Sequence, residues 1–123
     1  MTNSKNQKSV TGLHILGELY TKNDKNLKSL AKARGYISAA IKKFKLTELG
    51  SFYYQFDEGG FTGIVSLVES HIAIHTWPEF GYLTLDVYLC NYSKDNTETC
   101  KKIFVEISDF FEPQKINKKL FRR

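Results

Sequence analysis

Between positions 69 and 90 the chain concentrates residues able to do chemistry: Glu69, Ser70, His71, His75, Glu79, Asp86 and Cys90. Its only tryptophan, Trp77, and one of its two prolines, Pro78, stand among them. A hydroxyl, an imidazole and a carboxylate would serve a Ser/His/acid nucleophilic site. Ser70, however, lacks the glycine-flanked elbow that many such serines use. His71, His75 and Cys90 would supply three zinc ligands. The i,i+4 spacing of the histidines brings them together only on a helix, and this stretch reads as strand. A third reading is ordinary polar residues along a half-exposed strand, which any one of them satisfies alone. Cys90 stands out by position. Leu83, Leu85, Val87 and Leu89 alternate with Thr84, Asp86, Tyr88 and Cys90, which places this thiol on the polar face of a strand, open to proton exchange. Free cysteine more often behaves as a small buried hydrophobe. Cys100, on a helical apolar stripe, is expected to do just that.

The elements that must hold these groups follow from periodicity. Residues 1–9 are polar and read as a loose tail, without the apolar stretch of a signal peptide. Residues 10–20 contain a strand. Asn23-Asp24 offers a helix start, and Leu27, Leu30, Ala31, Ile37, Ala40, Ile41 and Phe44 follow at helical spacing, so one helix is expected there. Short β segments are expected at 51–56, 63–68, 71–76 and 83–90, with a turn at Asp57-Glu58-Gly59-Gly60. A second helix over 96–111 presents Cys100, Ile103, Phe104, Ile107, Phe110 and Phe111, Pro113 ends it, and 115–121 forms a last strand. Strand, helix, several strands, helix, strand is the order of an α+β two-layer sandwich: a mostly antiparallel sheet with two helices packed on one face, in a single domain over 10–123.

Composition bounds the function. With 41% hydrophobic and 14% aromatic residues, 123 residues can bury one core. The absence of a long apolar run argues against a membrane span, and a cytoplasmic setting with free thiols is expected. The net charge of +5 is dispersed over both ends and one helix face, which argues against nucleic-acid binding.

The string Glu69-Ser70-His71-Ile72-Ala73-Ile74-His75-Thr76-Trp77-Pro78-Glu79, with the spacing onward to Asp86 and Cys90, resembles the processing motif of the short prokaryotic S-adenosylmethionine decarboxylases. The likeness extends more weakly from about Gly12 to Phe111. It implies self-cleavage between Glu69 and Ser70. The Ser70 hydroxyl attacks the Glu69 carbonyl, and a base removes the residue 70 Cα proton so that the ester is eliminated. The dehydroalanine left behind is hydrolysed, with loss of its nitrogen as ammonia, to a pyruvoyl cofactor that forms a Schiff base with the substrate amine. By the same resemblance His75 is the processing base, Thr62 supports processing by hydrogen bonding, and Cys90 returns a proton to the product. Phe56 stacks on adenine, and Glu79 binds the ribose hydroxyls. No metal is expected, and a homodimer of cleaved chains is. The product would supply aminopropyl groups for polyamine (spermidine) synthesis.

Because a strand has period two, Ser70 and His75 fall on opposite faces, so their meeting requires a bend, a bulge or a turn between them. The chain also departs from the family pattern just upstream. Tyr53-Tyr54-Gln55-Phe56-Asp57-Glu58-Gly59-Gly60-Phe61-Thr62-Gly63 lacks the usual histidine and proline and adds two acids where the nucleoside end would bind. An alternative therefore keeps the pyruvoyl but takes a basic amino acid, ornithine or arginine, paired with Asp57 or Glu58. A non-catalytic binding module, left uncut, is the remaining alternative.

Overall fold

The computed structural model describes residues 10–123; the expected tail, residues 1–9, lies outside the described residues. Its elements are β1 (Leu13–Tyr20), α1 (Asp24–Lys28), α2 (Leu30–Lys43), β2 (Glu48–Gln55), β3 (Phe61–Leu67), β4 (Ser70–Trp77), a 3-10 turn (Pro78–Phe80), β5 (Tyr82–Leu89), α3 (Thr97–Phe110) and β6 (Lys115–Arg122). The six strands form one sheet in the order β2-β3-β4-β5-β1-β6, with every neighbouring pair antiparallel. The α+β two-layer architecture is as expected, with one difference. The first predicted helix is two helices, broken at Ser29, whose φ of −99° and ψ of 85° are not helical. Its hydroxyl accepts from the Lys32 N–H and starts α2 afresh, the competition for backbone donors that serine brings to a helix.

Alternation along the strands divides the sheet into two unlike faces. Leu13, Ile15 and Leu19 of β1, Leu83, Leu85, Val87 and Leu89 of β5, Ile72 and Ile74 of β4, and Phe61, Val65 and Leu67 of β3 meet Leu27, Ile37 and Ile41 from α1 and α2 and Ile103, Phe104 and Ile107 from α3. Each such side chain fully buried is worth about 1.5–3 kcal/mol, so the helical face supplies the stability. Gly17 permits the closest approach there: a Cβ on it would lie 2.5 Å from the Phe104 ring. Thr76 ties the layers together by donating to the Leu27 carbonyl at 2.7 Å. The edge strand β6 is exposed throughout, and Lys115, Lys118 and Lys119 discourage another strand from adding to it.

Among the described residues no helix lies over the opposite face. It carries His14, Leu16 and Glu18 from β1; His71, Ala73, His75 and Trp77 from β4; Thr84, Asp86 and Tyr88 from β5; and Phe52, Tyr54, Thr62 and Ile64 from β2 and β3, as the strand registers dictate. Among the described residues no helix is long and apolar enough to cross a membrane.

Candidate active site

β3 and β4 are joined by a two-residue turn, Val68-Glu69, closed by the Leu67–Ser70 pair. The Glu69–Ser70 peptide therefore stands at the tip of a hairpin. Ser70 has φ 123°, a value that residues with a Cβ rarely adopt and that costs about 1–3 kcal/mol. It also pairs with Leu89 on β5, which puts Cys90, the next residue, alongside Glu69. The Cys90 N–H donates to the Glu69 carbonyl oxygen at 3.1 Å. Cys90 is a half-buried free thiol one residue past the end of β5, which stops at Leu89. Gly12 holds it there, since a Cβ on Gly12 would stand 2.0 Å from the Leu89 carbonyl oxygen and 2.5 Å from the Cys90 Cα. Cys100 is the core thiol expected: fully buried, donating to the Leu13 carbonyl at 3.3 Å, with burial pushing its pKa up to about 11.

The second group of candidate residues lies at the other end of β4. Thr62 and His75 are cross-strand partners, and the Thr62 Oγ1 is 2.6 Å from the His75 Nδ1, a hydrogen bond that orients the imidazole. They line a cavity of about 550 Å³ together with Phe56, Glu58, Trp77 and Glu79. Its wall thus combines aromatic faces, a hydroxyl, an imidazole and two carboxylates. The turn beside it is tied by the Gln55 side-chain amide, which donates to the carbonyls of Gly59 at 2.8 Å and Gly60 at 3.0 Å. A larger cavity, about 720 Å³, opens by Leu16, Glu18, Thr84, Asp86, Asn117 and Lys119. It contains neither Ser70 nor His75, so the smaller one is the better candidate on chemistry.

The expected bend between Ser70 and His75 is absent. β4 pairs residue for residue with β3 from Ser70 to His75 and with β5 from Ser70 to Trp77, without a bulge. Five residues of extended chain put Ser70 and His75 about 16 Å apart. The candidates thus gather as two half-sites, Glu69–Ser70–Cys90 and Thr62–His75–Phe56–Glu79. The zinc reading loses its geometry too: among the described residues no three His, Cys, Asp or Glu side chains converge as a metal would require.

Between the half-sites His71 and Asp86 are joined by His14, a residue that the sequence did not single out. His14 is buried, and its ring lies 5.2 Å from Tyr88 and 5.8 Å from His71. Burial lowers its pKa, against the pull of Asp86, with Arg123 and His71 lowering it further. Asp86 is displaced the other way, its pKa raised by burial and only partly restored by His14, His71 and His75. The period-two pattern puts His14 beside Leu16 and Glu18 on the polar face, but nothing in it signals burial.

A pH dependence follows. As pH falls through 6.5, the unfolded chain binds a proton that folded His14 refuses, so this residue removes stability on acidification. Asp86 acts oppositely, because the folded state takes up its proton first, above 3.8. Urea midpoints at pH 7.5 and 5.5 separate the two. His14→Gln should lose less stability between these pH values than the parent chain, and an equal or greater loss would refute the assignment.

The sheet backed by a single layer of helices, with its candidate residues gathered in two half-sites, can be set beside known proteins. The S-adenosylmethionine decarboxylase family model matches residues 13–123. The S-adenosylmethionine decarboxylase proenzyme of Aquifex aeolicus (strain VF5) is 38% identical over 112 residues, covering 91% of this chain and 80% of that one. That of Archaeoglobus fulgidus is 36% identical over 105 residues, covering 85% and 90%. The crystal structure of the adenosylmethionine decarboxylase from Aquifex aeolicus VF5 superposes with a TM-score of 0.83 at 36% identity, covering 94% of this chain and 92% of that one. The chain belongs to the S-adenosylmethionine decarboxylase family.

Proposed function

We propose that the chain cleaves itself between Glu69 and Ser70, converts Ser70 to a pyruvoyl group, and decarboxylates S-adenosylmethionine in the cytoplasm. The observation that carries this reading is the scissile turn. Ser70 Oγ attacks the Glu69 carbonyl carbon, and the strained φ of 123° at Ser70 is released as the amide becomes an ester. Charge developing on the Glu69 oxygen meets the Cys90 N–H, already 3.1 Å away, a preorganised donor of the kind that stabilises oxyanions. A pyruvoyl group supplies an electron sink for loss of carbon dioxide from an α-amino acid. Cys90 then holds at its Sγ the proton that the product carbon needs.

His75 is the processing base, and it serves the Ser70 of a second copy. Two observations support this. Within one chain the two residues are about 16 Å apart along an unbroken strand. The open face also exposes Phe52 at 66%, Tyr54 at 52% and Ile64 at 51%, apolar groups that a partner sheet would cover. In a two-fold dimer the same surfaces meet reciprocally. Each of two sites then takes Glu69, Ser70 and Cys90 from one chain and Thr62, His75, Phe56 and Glu79 from the other. Phe56 offers its ring to adenine, and Glu79 accepts hydrogen bonds from the ribose hydroxyls.

The placement of Glu58 on the same cavity wall is the one feature favouring a basic amino acid instead. Mass spectrometry of the purified protein should find residues 1–69 and a chain beginning at a modified residue 70. Carbon dioxide release is expected from S-adenosylmethionine and from neither ornithine nor arginine. An intact chain under all conditions would end both enzyme readings, and release from ornithine or arginine alone would replace the substrate.

A further inference from the structure

The side chain of Glu69 is held as firmly as its carbonyl, and by two residues, Ser93 and Asn96, with no part in the steps above. The Ser93 N–H donates to Oε1 at 3.2 Å, the Ser93 hydroxyl donates to Oε2 at 2.5 Å, and the Asn96 amide donates to Oε1 at 3.2 Å. The same Asn96 Nδ2 donates to the Cys90 carbonyl at 2.9 Å, and the Asn96 N–H donates to the Asn91 Oδ1 at 2.8 Å. Both ends of residue 69 are thus fastened to residues 90–96, its carbonyl by the Cys90 N–H and its carboxylate by Ser93 and Asn96.

A second observation sets Asn96 apart. It is the N-cap residue of α3, and asparagine there ordinarily accepts a hydrogen bond from the first turn. Here the side chain makes no cap bond. Asn96 is fully buried, its Oδ1 has no partner among the described residues, and both contacts of its Nδ2 go to Glu69 and Cys90. The helix forgoes its cap so that this amide can face the scissile turn.

We infer that Ser93 and Asn96 are positioning residues for self-cleavage: they clamp the Glu69 carboxylate and so hold the Glu69–Ser70 peptide in its strained, attack-ready shape. A two-residue turn with φ 123° at its exit would relax unless fastened on both sides. Attack by a neighbouring hydroxyl depends steeply on the geometry in which it is held. The clamp also keeps the Glu69 carboxylate away from its own carbonyl, where like charge would oppose the developing oxyanion. The inference rests on the reading that the chain cuts at this bond.

The test follows the appearance of residues 1–69 by mass spectrometry after cell-free synthesis of the full chain. Ser93→Ala should cut about tenfold more slowly, as expected for loss of a charge-assisted hydrogen bond, with an unchanged melting temperature because this bond is exposed. Ser93→Thr, which keeps the hydroxyl, should restore the parent rate. Glu69→Gln should also slow cutting, and the double variant should be no slower than the slower single one, since both remove one interaction. Asn96→Asp, which sets a carboxylate against Glu69, should be slower still. A parent chain that cuts while Ser93→Ala cuts equally fast, or single effects that multiply in the double variant, would overturn the clamp alone. A parent chain that never cuts would overturn the cleavage reading beneath it.

Discussion

Co-synthesis of a Ser70→Ala chain with a His75→Ala chain should yield cleavage that neither variant undergoes by itself. In isolation the first has no nucleophile and the second no base, so each stays whole. In a mixed dimer the His75→Ala chain contributes an intact Ser70 and its partner an intact His75, which completes one site of the two. The cut chain must therefore be the His75→Ala one, identifiable by its mass, and random pairing limits the yield to about half of it. The physical basis is β4 itself, whose uninterrupted pairing with both β3 and β5 from Ser70 to His75 leaves no route by which the two side chains of one chain meet. A mixture that stays uncut would remove the reciprocal dimer, and a His75→Ala chain that cuts alone would remove His75 as the base.

Cys90→Ala should separate the two reactions. The contact that Cys90 offers to the Glu69 carbonyl is a backbone N–H, which alanine retains, so cleavage should proceed. The thiol proposed to return the proton is gone, and a general acid is worth about 10²–10⁴ in rate. Carbon dioxide release per cut chain should fall by about that factor, with KM little altered because the thiol is not on the cavity wall by Phe56 and Glu79. Undiminished turnover would deprive Cys90 of its role. Failure to cut would instead mean that its side chain, and not only its backbone, takes part in processing. Cys100→Ala makes the contrast: it deletes a core contact and should lower stability while leaving cleavage in place.

Much of this was legible in the residues because it is local. Alternation of Leu83, Leu85, Val87 and Leu89 with polar partners is a property of the strand alone, so Thr84, Asp86 and Tyr88 fall on the open face whatever else the chain does. The stripe of Ile103, Phe104 and Ile107 likewise determined α3 and the side on which it packs. The first helix was misjudged at Ser29, where the apolar spacing continues across a residue whose hydroxyl starts a new helix. Family resemblance named Ser70, His75 and Thr62, but it could not say how they stand in space. The period of two correctly barred Ser70 and His75 from one face, while the expected bend rested on the assumption that both belong to one site of one chain.

What the chain determined by itself was its elements, the polarity of their faces and the reactive residues each face carries. The tertiary structure decided which of those residues meet. Thr62 reaches His75 because a two-residue turn at Val68-Glu69 sets the register of β3 against β4. Cys90 reaches Glu69 because β5 lies beside β4 with Ser70 opposite Leu89. Asn96, by type a helix cap, became a clamp because the segment after β5 brings it under the scissile turn. Each depends on a pairing between distant segments, and local periodicity carries no information about register.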